Sequence, residues 1–436
     1  MMKMRIPVLV VVLVLLAAAV GPAVAQTQAP QATQTPQALR AYSLAELVAA
    51  AEERNPTLTA ARQAVAAAEA AVALARAGLG VTVTARGSAA TAGGGTTTTA
   101  SFSSSASLVA SYTLYDSGQT ASAVQQAEAN LRSARAALDA TRQDTALAVG
   151  LAYVAVLRAE RTVVLQQQQV VRSQELVRIA QGQLDAGVVA RSDVVRAQAG
   201  LAATQSDLIV AQNVVDQSKA TLNVAMGASP MIPIAVAPPP PVPPVTVAYA
   251  DLSRLVEQRP ELRKALSDAE GAEAAVRLAQ AGGGLKVTLD GAATQVLSPT
   301  AQTTYSTGIG MSFPISDAGR ASAAVAQATA NLQAARARIE SVRLTTVQDG
   351  VGALLNLSSA AARIESARAG LAFAEESLRL ARARYAAGAA PIFEVTDAQT
   401  TLLQAEVALA NAIFDQLVGS LQLRRALGRS VVDGAI

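Results

Sequence analysis

Glu394 and Asp397 lie three residues apart at the start of a helix-forming run, so a helix would carry both carboxylates on one face. Such a pair can do general acid–base work, or it can simply meet the N-terminal dipole of a solvated helix. Repeated around a threefold axis, it would instead form a ring of six carboxylates that selects cations. Little else in the chain is chemically equipped. Its 436 residues include no Cys, His or Trp, which excludes Cys/His zinc sites, iron–sulfur clusters, thiol nucleophiles and any triad with an imidazole base. No catalytic residue, metal site or cofactor is expected. Gly282-Gly283-Gly284-Leu285-Lys286 has the glycines of a phosphate loop, but it lacks Gly-Lys-Ser/Thr and precedes a strand pattern, so it reads as a bend. The net charge of +3 falls to +1 (33 minus 32) without Lys3 and Arg5, so no basic field for nucleic acid is present.

The elements that would position these residues are mostly helices. Hydrophobic residues make up 51% of the chain and aromatics only 3%, a palette dominated by Ala and Val that suits close helix packing. Lys3 and Arg5, the apolar stretch from Val8 to Val20, and Ala23-Val24-Ala25 read as a secretory signal peptide over 1–25. The absence of Cys argues against a lipoprotein anchor. Residues 26–42 read as an extended or disordered leader, and no later segment is expected to span a bilayer as a helix.

The rest is one unit written twice, as 43–227 and 250–428, joined by a Pro-rich linker over 228–249 and followed by a tail over 429–436. A shift of 204 aligns Pro56 with Pro260 and Glu69 with Glu273; a shift of 201 aligns Asp116 with Asp317, Gly118 with Gly319, Gly187 with Gly388 and Gly227 with Gly428. Each unit reads as helix, hairpin (about 81–115 and 285–315), long helix, glycine turn and shorter helix. Val149, Val156, Val163, Val170, Val177 and Leu184 recur every seven residues, as do Leu357, Ile364, Leu371, Leu378 and Tyr385, a period that calls for coiled-coil packing. Five of the 12 aromatics (Phe102, Tyr112, Tyr115, Tyr305 and Phe313) fall in the hairpins, as a membrane girdle requires.

Lengths then imply an architecture. Helices 192–226 and 250–281 together match the long helix 119–183, while 392–427 and 43–78 together match 319–386. This pairing would close the protomer on itself as a helical body roughly 100 Å long, with both hairpins at one end and both glycine turns at the other. Four strands cannot close a membrane barrel, which needs at least about eight, so hairpins entering a membrane force oligomerisation.

Tyr112-Thr-Leu-Tyr-Asp-Ser-Gly118 and Phe313-Pro-Ile-Ser-Asp-Ala-Gly319 resemble the strand-to-helix junctions of TolC-type outer-membrane efflux proteins, with Asp116, Gly118, Pro314, Asp317 and Gly319 at the motif positions. Gly187 to Gln198 and Tyr385 to Gln399 resemble that family's turn-and-helix motif. The resemblance implies a mostly α fold with membrane β: a homotrimer whose twelve-stranded barrel, four strands per protomer, continues as a periplasmic coiled-coil tunnel. It implies an exit duct in the outer membrane of a diderm bacterium, serving tripartite efflux or type I secretion with a periplasmic adaptor and an inner-membrane pump. It places Ser192, Asp193, Tyr385, Glu394 and Asp397 at the pore gate, and Gly187, Val188, Val189, Gly388, Ala389 and Ala390 at the adaptor-docking tips. The best-known member has a gate Arg where this chain has Ala390; Arg191 and Arg384 stand near enough in sequence to replace it. The competing reading of the residues is a trimeric coiled-coil surface or periplasmic scaffold protein without a pore.

Overall fold

A computed structural model describes residues 40–92, 101–239, 252, 254, 257–298 and 300–430. The signal, most of the leader, the Gly93-Gly94-Gly95 turn, most of the proline run of the linker and most of the tail lie outside the described residues. The elements run β1 (Ala41–Tyr42), α1 (Leu44–Arg54), α2 (Pro56–Ala77), β2 (Thr82–Ala92), β3 (Ser101–Tyr115), α3 (Gln119–Asp185), α4 (Arg191–Ala225) and β4 (Ala235–Val236). They continue as α5 (Pro260–Ala281), β5 (Lys286–Ser298), β6 (Gln302–Ser312), α6 (Arg320–Ala386) and α7 (Ile392–Ala426). The two 67-residue helices, α3 and α6, are each about 100 Å long at 1.5 Å per residue.

Both hairpins join one antiparallel sheet in the order β2-β3-β5-β6. Cross-strand partners share a face, so the register sorts the side chains. Val83, Leu108, Tyr112, Leu289, Ile309 and Met311 lie on one face; Thr82, Arg86, Ser107, Ser111, Asp290 and Thr294 lie on the other. The apolar side chains of the first face are solvent-exposed in the single chain. Among the described residues β2 and β6 each pair on one side only, which leaves both edges of the sheet open.

The helical body differs from the length-based expectation. α2 packs along α3 and not along α6, and α5 packs between α3 and α6. The short helices therefore stack as α4 with α2 and α7 with α5, one stack on each flank of α3. Two junctions dictate the exchange. Asn55 Nδ2 donates to the Ala225 carbonyl at the end of α4 (2.8 Å), while its Oδ1 accepts from Thr57 N–H at the start of α2 (2.8 Å), so one side chain serves orphan groups of both helices. At the other junction Arg425, near the end of α7, donates to Glu261 in the first turn of α5. The protomer is consequently an open array, α2-α3-α5-α6 near the sheet and α4-α3-α7-α6 toward the turns. α3, covered on both sides, buries 18 residues; α6, at the edge, buries ten.

The seven-residue stripe is buried in α6 at Leu357, Ile364, Leu378 and Tyr385, with Leu371 half-buried. In α3 it holds only at Val149 and Val156; below them burial passes to Leu165, Gln169, Ser173, Leu176 and Ala180, because two helical stacks compete for that helix. α2 also departs from expectation, being long and apolar enough by composition to cross a bilayer, although one side of it lies along α3.

A charged node surrounds the α7/α5 junction. Arg259 contacts Glu261 (3.1 Å) and Asp349 (3.2 Å), and Arg425 contacts Asp144 (2.7 Å) as well as Glu261. Burial alone would raise the Glu261 pKa, but hydrogen bonds from Arg425 and Arg259 hold it at about 2. Because the folded value is depressed, the stabilisation is complete above the ordinary carboxylate range and is lost as pH falls toward 2. Glu261→Gln should lower stability near neutral pH by on the order of 3 kcal/mol, leaving buried arginines undercompensated. The gap between wild type and variant should narrow below about pH 4.5. Far-UV circular dichroism melts of detergent-solubilised protein across that range measure both effects, and a gap that does not change with pH would refute the assignment.

Candidate functional site

Three features of the chain are built for position: the strand-to-helix junctions, the glycine turns and the acidic helix starts beside those turns. At the first junction Asp116 accepts from Gly118 N–H (3.1 Å) and Thr120 N–H (2.7 Å), and from the Thr120 hydroxyl. Asp317 accepts from Gly319 N–H (3.0 Å) and Ala321 N–H (2.7 Å). Each carboxylate thus caps a 67-residue helix from two residues outside its N-cap, while Gly118 (φ 86°) and Gly319 (φ 85°) take the left-handed conformation. Hydrogen bonds from Ala321 and Gly319 hold the Asp317 carboxyl below its ordinary range. Burial opposes the same shift at Asp116, but bonds from Thr120 and Gly118 prevail. Pro314, exposed after β6, follows the last ladder position and needs no N–H there. The preceding bend is equally specific, since a Cβ on Gly284 would overlap the Ser117 side chain.

At the far end both turns are Schellman motifs. Val188 N–H donates to Gln183 O (2.9 Å) and Gly187 N–H to Leu184 O (2.9 Å); Ala389 N–H donates to Arg384 O (2.8 Å) and Gly388 N–H to Tyr385 O (2.9 Å). Gly187 (φ 71°) and Gly388 (φ 67°) supply the left-handed residue. The two turns sit side by side: a Cβ on Gly388 would contact the Val188 side chain at 3.7 Å, and Gln183 Nε2 donates to the Tyr385 carbonyl (3.1 Å). Gly187, Val188, Gly388 and Ala389 are exposed, and Val189 and Ala390 are half-buried.

Asp193 and Glu394 occupy equivalent places, each the third residue of its helix, where an acid meets the N-terminal dipole. Neither helix has a side-chain cap on its N-cap residue, Ala190 or Pro391. Glu394 accepts from Arg384 across the turn (2.9 Å). Arg384 is therefore committed to Glu394 within the protomer, and Asp193 stands instead beside Tyr385. The Tyr385 ring is buried in the cluster of Val194, Ala197, Ile392 and Val395, and its hydroxyl has no hydrogen-bond partner among the described residues. Burial first, and the Asp193 charge second, raise the Tyr385 pKa. Ser192 and Asp397 are exposed on either side of this group, and Arg191 has no ion pair among the described residues. Higher up, Arg172 and Glu406 form a largely buried bidentate pair that ties α3 to α7. Sequence reasoning did not single out that pair, and only the opposite charges on facing helices could have signalled it.

A sheet with one apolar and one polar face, carried on helices some 100 Å long, with acidic helix starts at the opposite end, defines an outer-membrane channel class of protein. The sequence profile described as "Outer membrane efflux protein" matches residues 47–228 and 252–429, and the chain belongs to that family. Among curated relatives, the outer membrane efflux protein BepC of Brucella suis is 26% identical over 337 residues, covering 73% of this chain and 71% of that protein. Outer membrane protein TolC of Escherichia coli is 31% identical over 121 residues, 28% of this chain and 24% of that protein. The crystal structure of CusC matches with a TM-score of 0.81 at 21% identity, covering 90% of this chain and 93% of that one. VceC of Vibrio cholerae matches with a TM-score of 0.77 at 21% identity, covering 89% and 96%. At these identities the structural likeness concerns the fold alone. The chain is an outer-membrane efflux protein of the TolC type, with a large periplasmic portion.

Proposed function

We propose that three copies of this chain close into one passive duct, a twelve-stranded barrel continued by a helical tunnel, as the exit of a tripartite efflux or type I secretion system. The observation that carries the reading is that sheet and helices are open at corresponding edges. β2 and β6 are the free strands, and α2 and α6 flank the helices beside them. A free strand edge in lipid leaves backbone groups unpaired, each costing several kcal/mol. β6 of one copy would run antiparallel to β2 of the next, so threefold closure keeps the whole barrel antiparallel. The same contact would set α6 beside the neighbour's α2 and, lower down, α4. Leu344, Leu355, Phe373 and Leu380 on α6, Leu74 on α2 and Ile209 on α4 are exposed apolar side chains awaiting that cover.

Sidedness follows from cost. A charge on the lipid face near mid-membrane costs about 2–4 kcal/mol, so the face bearing Arg86 and Asp290 lines the bore and the face bearing Leu108 and Ile309 meets lipid. The two-unit organisation is supported by the same order of elements in both halves and by matching left-handed glycines at 118/319, 187/388 and 227/428. Energy comes from an inner-membrane pump, which an adaptor joins to the exposed turns.

Light scattering of detergent-extracted protein should give a trimer that conducts as a single channel in a planar bilayer; a stable folded monomer would overturn the barrel. Within the duct, Asp193, Glu394 and Asp397 ring the closed end. Glu394→Gln with Asp397→Asn should lower cation selectivity, read as reversal potential in a salt gradient, with little loss of trimer stability because an exposed pair contributes at most about 1 kcal/mol. Since Arg384 already pairs with Glu394, the double variant also frees that arginine, which pushes selectivity the same way. Unchanged reversal potential would place the constriction elsewhere.

A further inference from the structure

Residues 82–115 and 286–312, which hold the four strands, contain three charged residues, Arg86, Lys286 and Asp290. The register places all three on the polar face. Asp290 is already engaged. Its carboxylate accepts from the Ser111 hydroxyl (2.6 Å) and the Thr288 hydroxyl (2.7 Å), and it lies where Gly310 leaves room, since a Cβ there would stand 3.4 Å from Asp290 Oδ2. Arg86 is not engaged. Its cross-strand neighbours on that face are Ser107 and then Thr294, it is exposed, and no acidic side chain pairs with it among the described residues. Asp290 pairs with Ser111, four residues along β3 from Ser107, and sits two strands from Arg86, a separation of roughly 17 Å. That is far beyond the roughly 4 Å of an ion pair, so the acid leaves the guanidinium donors free.

We infer that Arg86 from three protomers forms an anion-binding ring in the bore of the barrel, opposite in sign to the acidic mouth formed by Asp193, Glu394 and Asp397. The inference rests on the trimeric duct proposed above. Two positive side chains and one negative one per copy leave the bore net basic, and low-dielectric walls focus that field on anything passing. The ligand chemistry is a multivalent anion, and the cargo it favours at the exit carries acidic groups. Guanidinium suits the role because it stays charged and offers a planar fork of donors to phosphate or carboxylate oxygens.

Tripolyphosphate added on the barrel side of single channels in a planar bilayer at low ionic strength tests the ring. Wild type should be blocked, and less so at high salt, where the Debye length shrinks to about 3 Å. Arg86→Gln should raise the half-blocking concentration by roughly tenfold or more, since three charges act together on a multivalent ion. Arg86→Lys should keep most of the block, which separates charge from local packing. Addition on the tip side should block less, because the acidic mouth repels the anion. A conducting wild type without block, or equal block in Arg86→Gln, would overturn the ring and leave the duct standing. A wild type that never conducts would overturn the duct and the ring with it.

Discussion

Gly227→Val should leave the outer membrane without assembled protein. Gly227 ends α4 in a Schellman turn, with Ala228 N–H donating to Asn223 O (2.8 Å), and it has φ 75°. A Cβ at this position would lie 2.7 Å from Asn55 Cα, 2.8 Å from Arg54 O and 2.9 Å from Pro56 Cδ. All three are backbone or ring atoms that cannot swing aside. A branched side chain adds its own strain in the left-handed region, so the total exceeds about 4 kcal/mol unless the two helices part. If they part, Asn55 loses its bond to the Ala225 carbonyl and α2 is no longer seated above α4. Gly428→Val is the matched control. It carries the same left-handed φ (69°), but its Cβ would meet only the Arg259 side chain and backbone at 3.5 Å or more. Heat-modifiable trimer in outer-membrane fractions should vanish for the first variant and persist for the second. Equal abundance of the two would show that the α4/α2 junction is not what orders the array.

That junction marks where reading the sequence stopped working. Helix ends were legible because punctuation is local: Gly187, Gly388, Gly227 and Gly428 each close a Schellman turn, and Asp116 and Asp317 each cap a long helix. The hairpins were legible from alternation, which the register converts into two chemically distinct faces. The partners of the short helices were not. Either pairing of 35-residue with 22-residue helices fills a 67-residue partner about equally well, so length cannot choose between them. The choice is made by side chains that sit in equivalent places yet differ in kind. Asn55 bridges its junction as a neutral cap, while Arg259, its counterpart, has no capping bond and hands the task to the Glu261–Arg425 pair. Duplication had made these positions look interchangeable, and divergence at a few of them sets which stack forms. The acidic turn shows the same limit. The sequence offered Arg191 and Arg384 as replacements for the gate arginine; within the protomer Arg384, one turn before Gly388, pairs back over the turn with Glu394.

Gly388→Glu should abolish efflux while leaving export and trimer formation intact. The site tolerates bulk locally: its Cβ would make ordinary contact with Val188 at 3.7 Å, the turn is exposed, and the left-handed conformation costs a non-glycine residue about 1–2 kcal/mol. A loss of function with assembly preserved therefore has to arise at the surface. In the duct proposed above, the tip would offer an adaptor small, uncharged groups, Gly187, Val188, Gly388 and Ala389, between the first carboxylates of α4 and α7. A carboxylate added among them must be desolvated when an adaptor closes over the turn, and it stands near Glu394 with the same sign. Gly388→Ala has the same backbone strain without the charge and should keep most activity, so the pair isolates docking from folding. Substrate resistance of cells carrying each variant, with trimer abundance measured alongside, decides the matter. Normal resistance with Gly388→Glu would mean that the adaptor grips the helices above the turns and that the tip remains free.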